Sequence, residues 1–364
     1  MTRGSSRFLS ALSRALTAST SNAYGPENWD SDRFGPYQST PHEDVGPELD
    51  RLLSPIETLL DGLASVYELL GDEASKSLLV QVLAYRLMGP HKVKLPLNTA
   101  EYWSWRAGLR SLIRGSDTID LNFLGMKLNR MALGAIGYPI EMYFLPLGVM
   151  NTFVLKQYAY TKRQPPIAAR EGDCVIDAGG CYGDTALYFA HEVGPRGRVF
   201  SFEFAPDNLR IHEQNMNLNP ELGRRIEVVS NALWDVSGKA LYFRAFGPAT
   251  QVTAGQEHPF EDSLLVATVS IDDFVREQSL PRVDFIKMDI EGAELRALRG
   301  ADETIHAFKP GLAISIYHSA NDFLDIPSHL HGLGLGYEFF LDHFTVYGEE
   351  TVLFAAVRDR RLPN

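Results

Sequence analysis

The run Val175-Ile176-Asp177-Ala178-Gly179-Gly180-Cys181-Tyr182-Gly183-Asp184-Thr185 constrains the fold of this chain more than any other stretch. An apolar block of one buried strand's length passes through a glycine-rich turn and opens a helical pattern over Thr185 to His191. Glycine reaches positive φ without steric cost and lets backbone approach a ligand closely. The helix start that follows offers N–H groups with no partner inside the helix. The same grammar recurs beyond Pro165-Pro166. Arg198 to Glu203 precedes a helical Asp207 to Asn219, and Ile226 to Ser230, Val283 to Met288, Ala293 to Leu298 and Leu312 to Tyr317 continue the alternation. Strands and helices at this spacing predict an α/β fold: a mostly parallel sheet, right-handed crossovers and a ligand crevice at the carboxyl ends of the strands. Tyr337 to Leu341 and Val352 to Val357 predict a final antiparallel pair around the polar loop His343 to Glu350.

Upstream the pattern differs. Residues 1–45 are rich in Ser, Gly, Pro and Asn and are expected to form a flexible tail with at most one short helix near Phe8 to Leu16. Residues 46–165 are expected to form a helical region. From Pro47, Leu49, Leu52, Leu53, Ile56, Leu59, Leu60, Leu63, Val66, Tyr67 and Leu70 make one stripe, broken at Ser54-Pro55 and stopped by Gly71. Leu78, Leu79, Val82, Leu83 and Tyr85 make a second, ending at Gly89-Pro90. Mixed helical and irregular pieces are expected from Asn98 to Arg163, with Tyr102, Trp103 and Trp105 as aromatic bulk for core or substrate. Residues 166–364 then hold the α/β domain.

Composition narrows the function classes. The 364 residues carry 34 Lys plus Arg against 46 Asp plus Glu, a formal charge of −12. Such a surface repels phosphate backbones and anionic lipid, so neither nucleic acid nor membrane is an expected partner. Pro139 to Leu155 is apolar, yet it is too short to span a bilayer and is interrupted by Glu141 and Pro146. Met1 to Thr20 lacks the unbroken apolar block of a secretory signal. Two cysteines, Cys174 and Cys181, supply neither a disulfide framework nor a zinc ligand set, and a reducing, cytoplasmic setting is the expectation.

Two acids sharpen the ligand. Asp177 precedes the glycine turn, where a carboxylate repels pyrophosphate but suits a cation or a hydroxyl donor, and the G-x-G-x-x-G spacing of dinucleotide sites is absent. Glu203 ends the next strand, where a carboxylate accepts from the vicinal hydroxyls of a ribose. A ribose beside acids and without a phosphate cradle favours S-adenosylmethionine over a nicotinamide dinucleotide.

The segment Val175 to Thr185, Phe202-Glu203-Phe204-Ala205-Pro206 and Asn231-Ala232-Leu233 resemble a class I methyltransferase with its Rossmann-like sheet. Ser270-Ile271-Asp272-Asp273-Phe274, the run Val283 to Leu295, Tyr317-His318, His343-Phe344 and Glu350 to Leu353 resemble the FkbM family of S-adenosylmethionine-dependent O-methyltransferases over residues 165–357. Asp72 to Ser75 and Lys94-Leu95-Pro96 are similar to a helical extension some members carry. The resemblance implies that Asp177, Gly179, Gly180, Cys181 and Gly183 shape the cofactor turn, that Glu203 holds the ribose, and that Asn231, Ala232 and Phe204 lie by the adenine. It implies transfer to a hydroxyl of a small molecule such as a sugar or a natural-product scaffold.

An acceptor hydroxyl is helped by a base or by a metal. Asp289 and His318, at the ends of later strands, and His343 in the closing loop are the catalytic candidates. Asp289 is open to three roles: orienting substrate, acting as base, or binding a divalent cation such as magnesium together with His318. The metal-free route is favoured, because histidine is an unusual magnesium ligand. Glu291 is expected to cap the helix that follows it, Glu294 to cap or face the surface, and Lys287 to pair with a carboxylate. The helical region would serve as a lid, a substrate contact or a homodimer contact. A nicotinamide-dependent oxidoreductase and a non-catalytic scaffold are the alternatives.

Overall fold

A computed structural model describes residues 3–37, 49–121, 126–244, 247, 250–253 and 263–358. The expected onset of the helical stripe at Pro47 lies outside these residues. The chain divides into two compact units.

Unit 2 holds Trp105–Ser315, Leu333–Tyr337 and Phe354–Asn364. Its first part is an antiparallel sheet of β1 (Ile113–Asp120), β2 (Lys127–Ala132) and β3 (Glu141–Phe144). Helical and irregular pieces were the expectation here. β1 is almost wholly exposed, so its side chains show no apolar alternation and backbone pairing alone makes the strand. The next strands are β4 (Cys174–Ala178), β5 (Arg198–Phe202), β6 (Ile226–Val229) and the short β7 (Ala232–Leu233). β8 (Ala240–Phe243), β9 (Val252–Thr253) and β10 (Leu264–Val269) follow. With β7 they make a small sheet in the order β7-β10-β8-β9, which the sequence pattern did not announce. β11 (Phe285–Met288) and β12 (Gly311–Ser315) complete the parallel core.

That core runs β12-β11-β4-β5-β6, every neighbouring pair parallel. β4, β11 and β12 are buried at every residue, as a sheet covered on both faces requires. The helices Asp184–Glu192 and Pro206–Leu218 provide the crossovers after β4 and β5. The fold is therefore the mostly parallel α/β sheet that the alternation predicts.

Unit 1 holds Met1–Ser104, Ile316–Gly332 and Glu338–Leu353. The expected tail contains a full helix, Arg3–Thr20, which buries Phe8, Leu12 and Leu16 completely. This i, i+4, i+8 stripe is one residue wide, and Ser and Arg on the other faces mask it in the composition. Phe8 packs on Tyr67 at 5.7 Å between ring centroids. The two expected stripes form Leu60–Leu69 and Glu73–Met88, the latter capped by Asp72, which accepts from Ser75 N at 2.7 Å. β13 (Tyr337–His343) and β14 (Thr351–Val357) adjoin in the sheet order and close as a hairpin, with Phe344 N donating to Glu350 O at 3.1 Å. Among the described residues no helix is long and apolar enough to cross a membrane.

Candidate active site

Two cross-strand rows build the site in unit 2. The parallel register aligns Lys287 on β11 with Asp177 on β4, and Asp177 with Ser201 on β5. All three side chains are buried. The Asp177 carboxylate accepts Thr185 Oγ1 at 2.9 and 3.0 Å and Ser201 Oγ at 3.1 Å, and it lies 3.2 Å from Lys287 Nζ. Lys287 also donates to the carbonyls of Ala178 at 3.1 Å and Gly179 at 2.6 Å. Burial works against the lysine's charge, but the carboxylates of Asp177, Asp289 and Asp184 outweigh it and raise its pKa. The expected pairing of Lys287 with an acid is thus present. Asp177, however, is fully buried and does not line the neighbouring cleft. Its oxygens are spent inside the protein, because it sits one residue short of the end of β4.

The second row lies two residues further along each chain: Asp289, Gly179 and Glu203. The backbone ladder continues into it through Asp289 N to Ala178 O, Gly179 N to Phe202 O and Glu203 N to Val229 O, at 3.0, 3.1 and 3.2 Å. All three residues line a cleft with about 580 Å³ of empty space, counted to its open mouth. Gly179 is the reason the row is open. Its φ is +89°, and a Cβ there would stand 1.9 Å from Asp289 O, so the backbone admits no side chain between the two acids.

Glu203 is locked from behind. Its Oε1 accepts Phe204 N at 2.6 Å and Ala205 N at 2.7 Å, and its Oε2 accepts Asn208 Nδ2 at 3.0 Å. The Pro206–Leu218 helix has no capping side chain at Ala205, so Glu203 satisfies N–H groups at that helix start. Burial pushes its carboxyl upward while these three donors pull it back.

Asp289 receives the Tyr158 hydroxyl on Oδ2 at 3.0 Å. The chain then turns through Glu291 at φ +56°, a left-handed residue that is costly for a non-glycine and that brings Glu291 to the cleft wall. Glu291 does not cap the helix Glu294–Arg299, which has no capping side chain; Glu294 is not at the surface but fully buried, and it accepts Ile290 N at 2.8 Å within the preceding turn. Asp289 and Glu291 therefore both offer oxygen donors to the cleft, the ligand type a hard cation takes.

Asn231, Ala232, Phe204 and Cys181 line the same cleft. Asn231 is held by donation to Ala267 O at 3.1 Å, and Phe204 stands edge-on to Phe243 at 4.9 Å. Phe204 is thus both wall and core. Burial, then the Glu203 and Asp184 carboxylates, push the Cys181 thiol well up, so it carries no thiolate chemistry. Gly180 and Gly183 support the turn from beneath. Gly180 N donates to Phe202 O at 2.9 Å, and Gly183, at φ +84°, leaves room for the His212 ring.

The two histidines belong to unit 1. His318 lies three residues past the end of β12, half-buried, its ring 4.2 Å from that of Tyr317. His343 ends β13 rather than lying in a loop. It is buried, with Nδ1 2.9 Å from Thr351 Oγ1 and Nε2 3.3 Å from Thr345 Oγ1, and burial lowers its pKa to about 4. These contacts make it a structural histidine of the hairpin, not a lining group for an acceptor. Sequence reasoning missed Asn208, Tyr158, Gly247, Thr250 and Val252 at the site. Pro206-Asp207-Asn208 reads as a helix start, which hides the second job of Asn208, and Tyr158 lies 131 residues from its partner.

An open glycine position flanked by acids at the carboxyl edge of a parallel sheet is the arrangement expected from the sequence for a class I methyltransferase. Residues 177–339 match the family profile described as the methyltransferase FkbM domain. Methyltransferase 1 of Beauveria bassiana is 26% identical over 178 residues, 44% of this chain and 71% of that protein. Methyltransferase sdnD of Sordaria araneosa is 26% identical over 158 residues, 35% of this chain and 60% of that protein. The crystal structure of methyltransferase FkbM from Methylobacillus flagellatus KT has a similar fold, with a TM-score of 0.52 and 20% identity over 83% of this chain and 60% of that one. The chain thus spans less than two thirds of the second and third of these relatives.

The residues present fit S-adenosylmethionine, the cofactor of this class of domain. Glu203 is an oriented hydrogen-bond acceptor of the kind a ribose needs, Phe204, Asn231 and Ala232 line the same cleft, and Gly179 puts no side chain between the acids.

Proposed function

We propose that the protein is an S-adenosylmethionine-dependent O-methyltransferase acting on a hydroxyl of a small molecule, a sugar or a natural-product scaffold. The row Asp289–Gly179–Glu203 carries this reading, because it sets a fixed ribose acceptor and a second carboxylate on either side of an open backbone position. When bound, the cofactor supplies an electrophilic methyl on a sulfonium. Glu203 accepts the ribose hydroxyls with an orientation already fixed by Phe204 N, Ala205 N and Asn208. Phe204 and Ala232 exclude water from the base. The Asp289 carboxylate, which accepts the Tyr158 hydroxyl on Oδ2, aligns the acceptor hydroxyl or takes its proton.

The acceptor class rests on the carboxylate at Asp289 and on the −12 charge, which disfavours a polyphosphate substrate. Calorimetry with S-adenosylhomocysteine tests the reading. Micromolar binding that Glu203→Ala weakens at least tenfold is expected, and equal affinity in the variant removes the ribose assignment.

A further inference from the structure

Unit 1 holds a cavity of its own. Trp29, Phe34, Tyr85, Tyr317 and Tyr347 wall it, with about 960 Å³ of empty space counted to its mouth. Three of the rings form one connected group: Trp29 and Phe34 are 5.5 Å apart between centroids, and Phe34 stands edge-on to Tyr347 at 5.1 Å. Phe34 is 46% exposed, a large apolar side chain left facing solvent. Aromatic walls of this kind hold flat or cyclic ligands.

The charges at the cavity do not balance. Arg33 and Glu349 form an ion pair at 2.9 Å and cancel. Arg86 has no carboxylate within ion-pair distance among the described residues; its Nη1 donates to the carbonyls of Tyr317 and Gly348 at 2.9 and 3.2 Å. Those two bonds, with the Phe323 ring centroid 5.4 Å from the guanidinium carbon, fix the group, and its other N–H groups have no acceptor among the described residues. Asp322 and Glu349 act on it only at longer range, and burial lowers its pKa. Tyr85, on the same helix, has a hydroxyl with no hydrogen-bond partner among the described residues, and burial, with Glu349 and Asp30, pushes its pKa up to about 12, so it remains a donor. A fixed, unmatched guanidinium in an aromatic cavity suits an anion carried on a ring.

We propose that this cavity binds a ring-bearing small molecule with a single carboxylate, its ring among Trp29, Phe34 and Tyr347 and its carboxylate on Arg86 and the Tyr85 hydroxyl. The assignment draws nothing from the methyl-transfer cleft. Calorimetry of the full chain with 2-naphthoate, 2-naphthamide and acetate tests it. Naphthoate binds saturably, naphthamide at least about tenfold more weakly, and acetate not measurably. Arg86→Gln abolishes the preference of acid over amide. Phe34→Ala, at an exposed position that the fold does not need, weakens both aromatic ligands by about fivefold or more. Glu203→Ala leaves naphthoate affinity unchanged. Equal affinity for acid and amide in the parent chain, no saturable naphthoate binding up to about 10 mM, indifference to Phe34→Ala, or sensitivity to Glu203→Ala each overturns the proposal.

Discussion

The rows Lys287–Asp177–Ser201 and Asp289–Gly179–Glu203 lie two residues apart on the same three strands, yet one is closed and the other open. In the first, every polar atom of Asp177 is matched by Thr185, Ser201 or Lys287 inside the protein. In the second, the middle position is a glycine that accepts no side chain, so the flanking acids are backed by Tyr158, Asn208 and two backbone N–H groups and keep a face toward the cleft. One step of the pleat thus separates a carboxylate that holds the sheet together from one that can hold a ligand. The closed row also serves the open one, since Lys287 grips the carbonyls of Ala178 and Gly179 and so fixes the turn that leaves the gap.

The largest expected effect comes from breaking the closed row. Asp177→Asn leaves Lys287 buried without its acid and costs about 3–5 kcal/mol in urea unfolding. Adding Lys287→Met recovers part of that loss, because no charge is then stranded. If Asp177→Asn leaves stability intact and cuts S-adenosylhomocysteine affinity instead, the roles of the two rows are reversed.

Acid tests the same floor. His212, fully buried beneath Gly183 with no ring-nitrogen partner among the described residues, has its pKa lowered by burial to about 4, as has His343 in unit 1. Between 6.5 and 4 the unfolded chain binds these protons and the folded chain does not, so stability is full above pH 6.5 and falls as pH drops. Each histidine contributes a loss of about 2 kcal/mol by pH 5. Asp184 works the other way. Burial raises its pKa to about 6, so the folded chain takes that proton first and offsets about 1 kcal/mol at the same pH. The net loss of about 3 kcal/mol is read from denaturant midpoints at pH 7 and pH 5, and His212→Gln should flatten the difference.

A smaller change is expected at the open row. Glu203→Gln keeps the shape of the side chain but replaces one acceptor oxygen with a donor, so cofactor affinity falls about tenfold while unfolding stability moves by about 1 kcal/mol or less. A variant that loses stability without losing affinity would make Glu203 a helix cap and nothing more. The smallest effect is expected from a chelator. If Asp289 works alone, turnover stays within about twofold after divalent cations are stripped; a collapse restored by magnesium would assign Asp289 and Glu291 to a cation.

Much of the sheet was legible because buried parallel strands are nearly continuous apolar runs, and β4, β11 and β12 are buried at every position. β1 was not, since an exposed strand carries no periodic signal. The Arg3–Thr20 helix was legible only in part, because three buried residues stand among many polar ones. At the site, Glu203 and Asp289 were found as acids at strand ends. Glu291 was expected to cap the following helix but does not, because the chain makes a left-handed turn at Glu291 and Gly292 and the helix begins only at Glu294, a backbone choice no side-chain pattern encodes.

The amino-acid order by itself determined which segments become buried strands, where the glycine turn falls and that acids stand near the strand ends, because these follow from local hydrophobic period and backbone freedom. Only the tertiary structure decided which acid is matched and which is open. That depends on the register aligning Lys287, Asp177 and Ser201 across three strands, and on the close approach of Asp289 O to Gly179, contacts between residues more than a hundred positions apart or on separate strands.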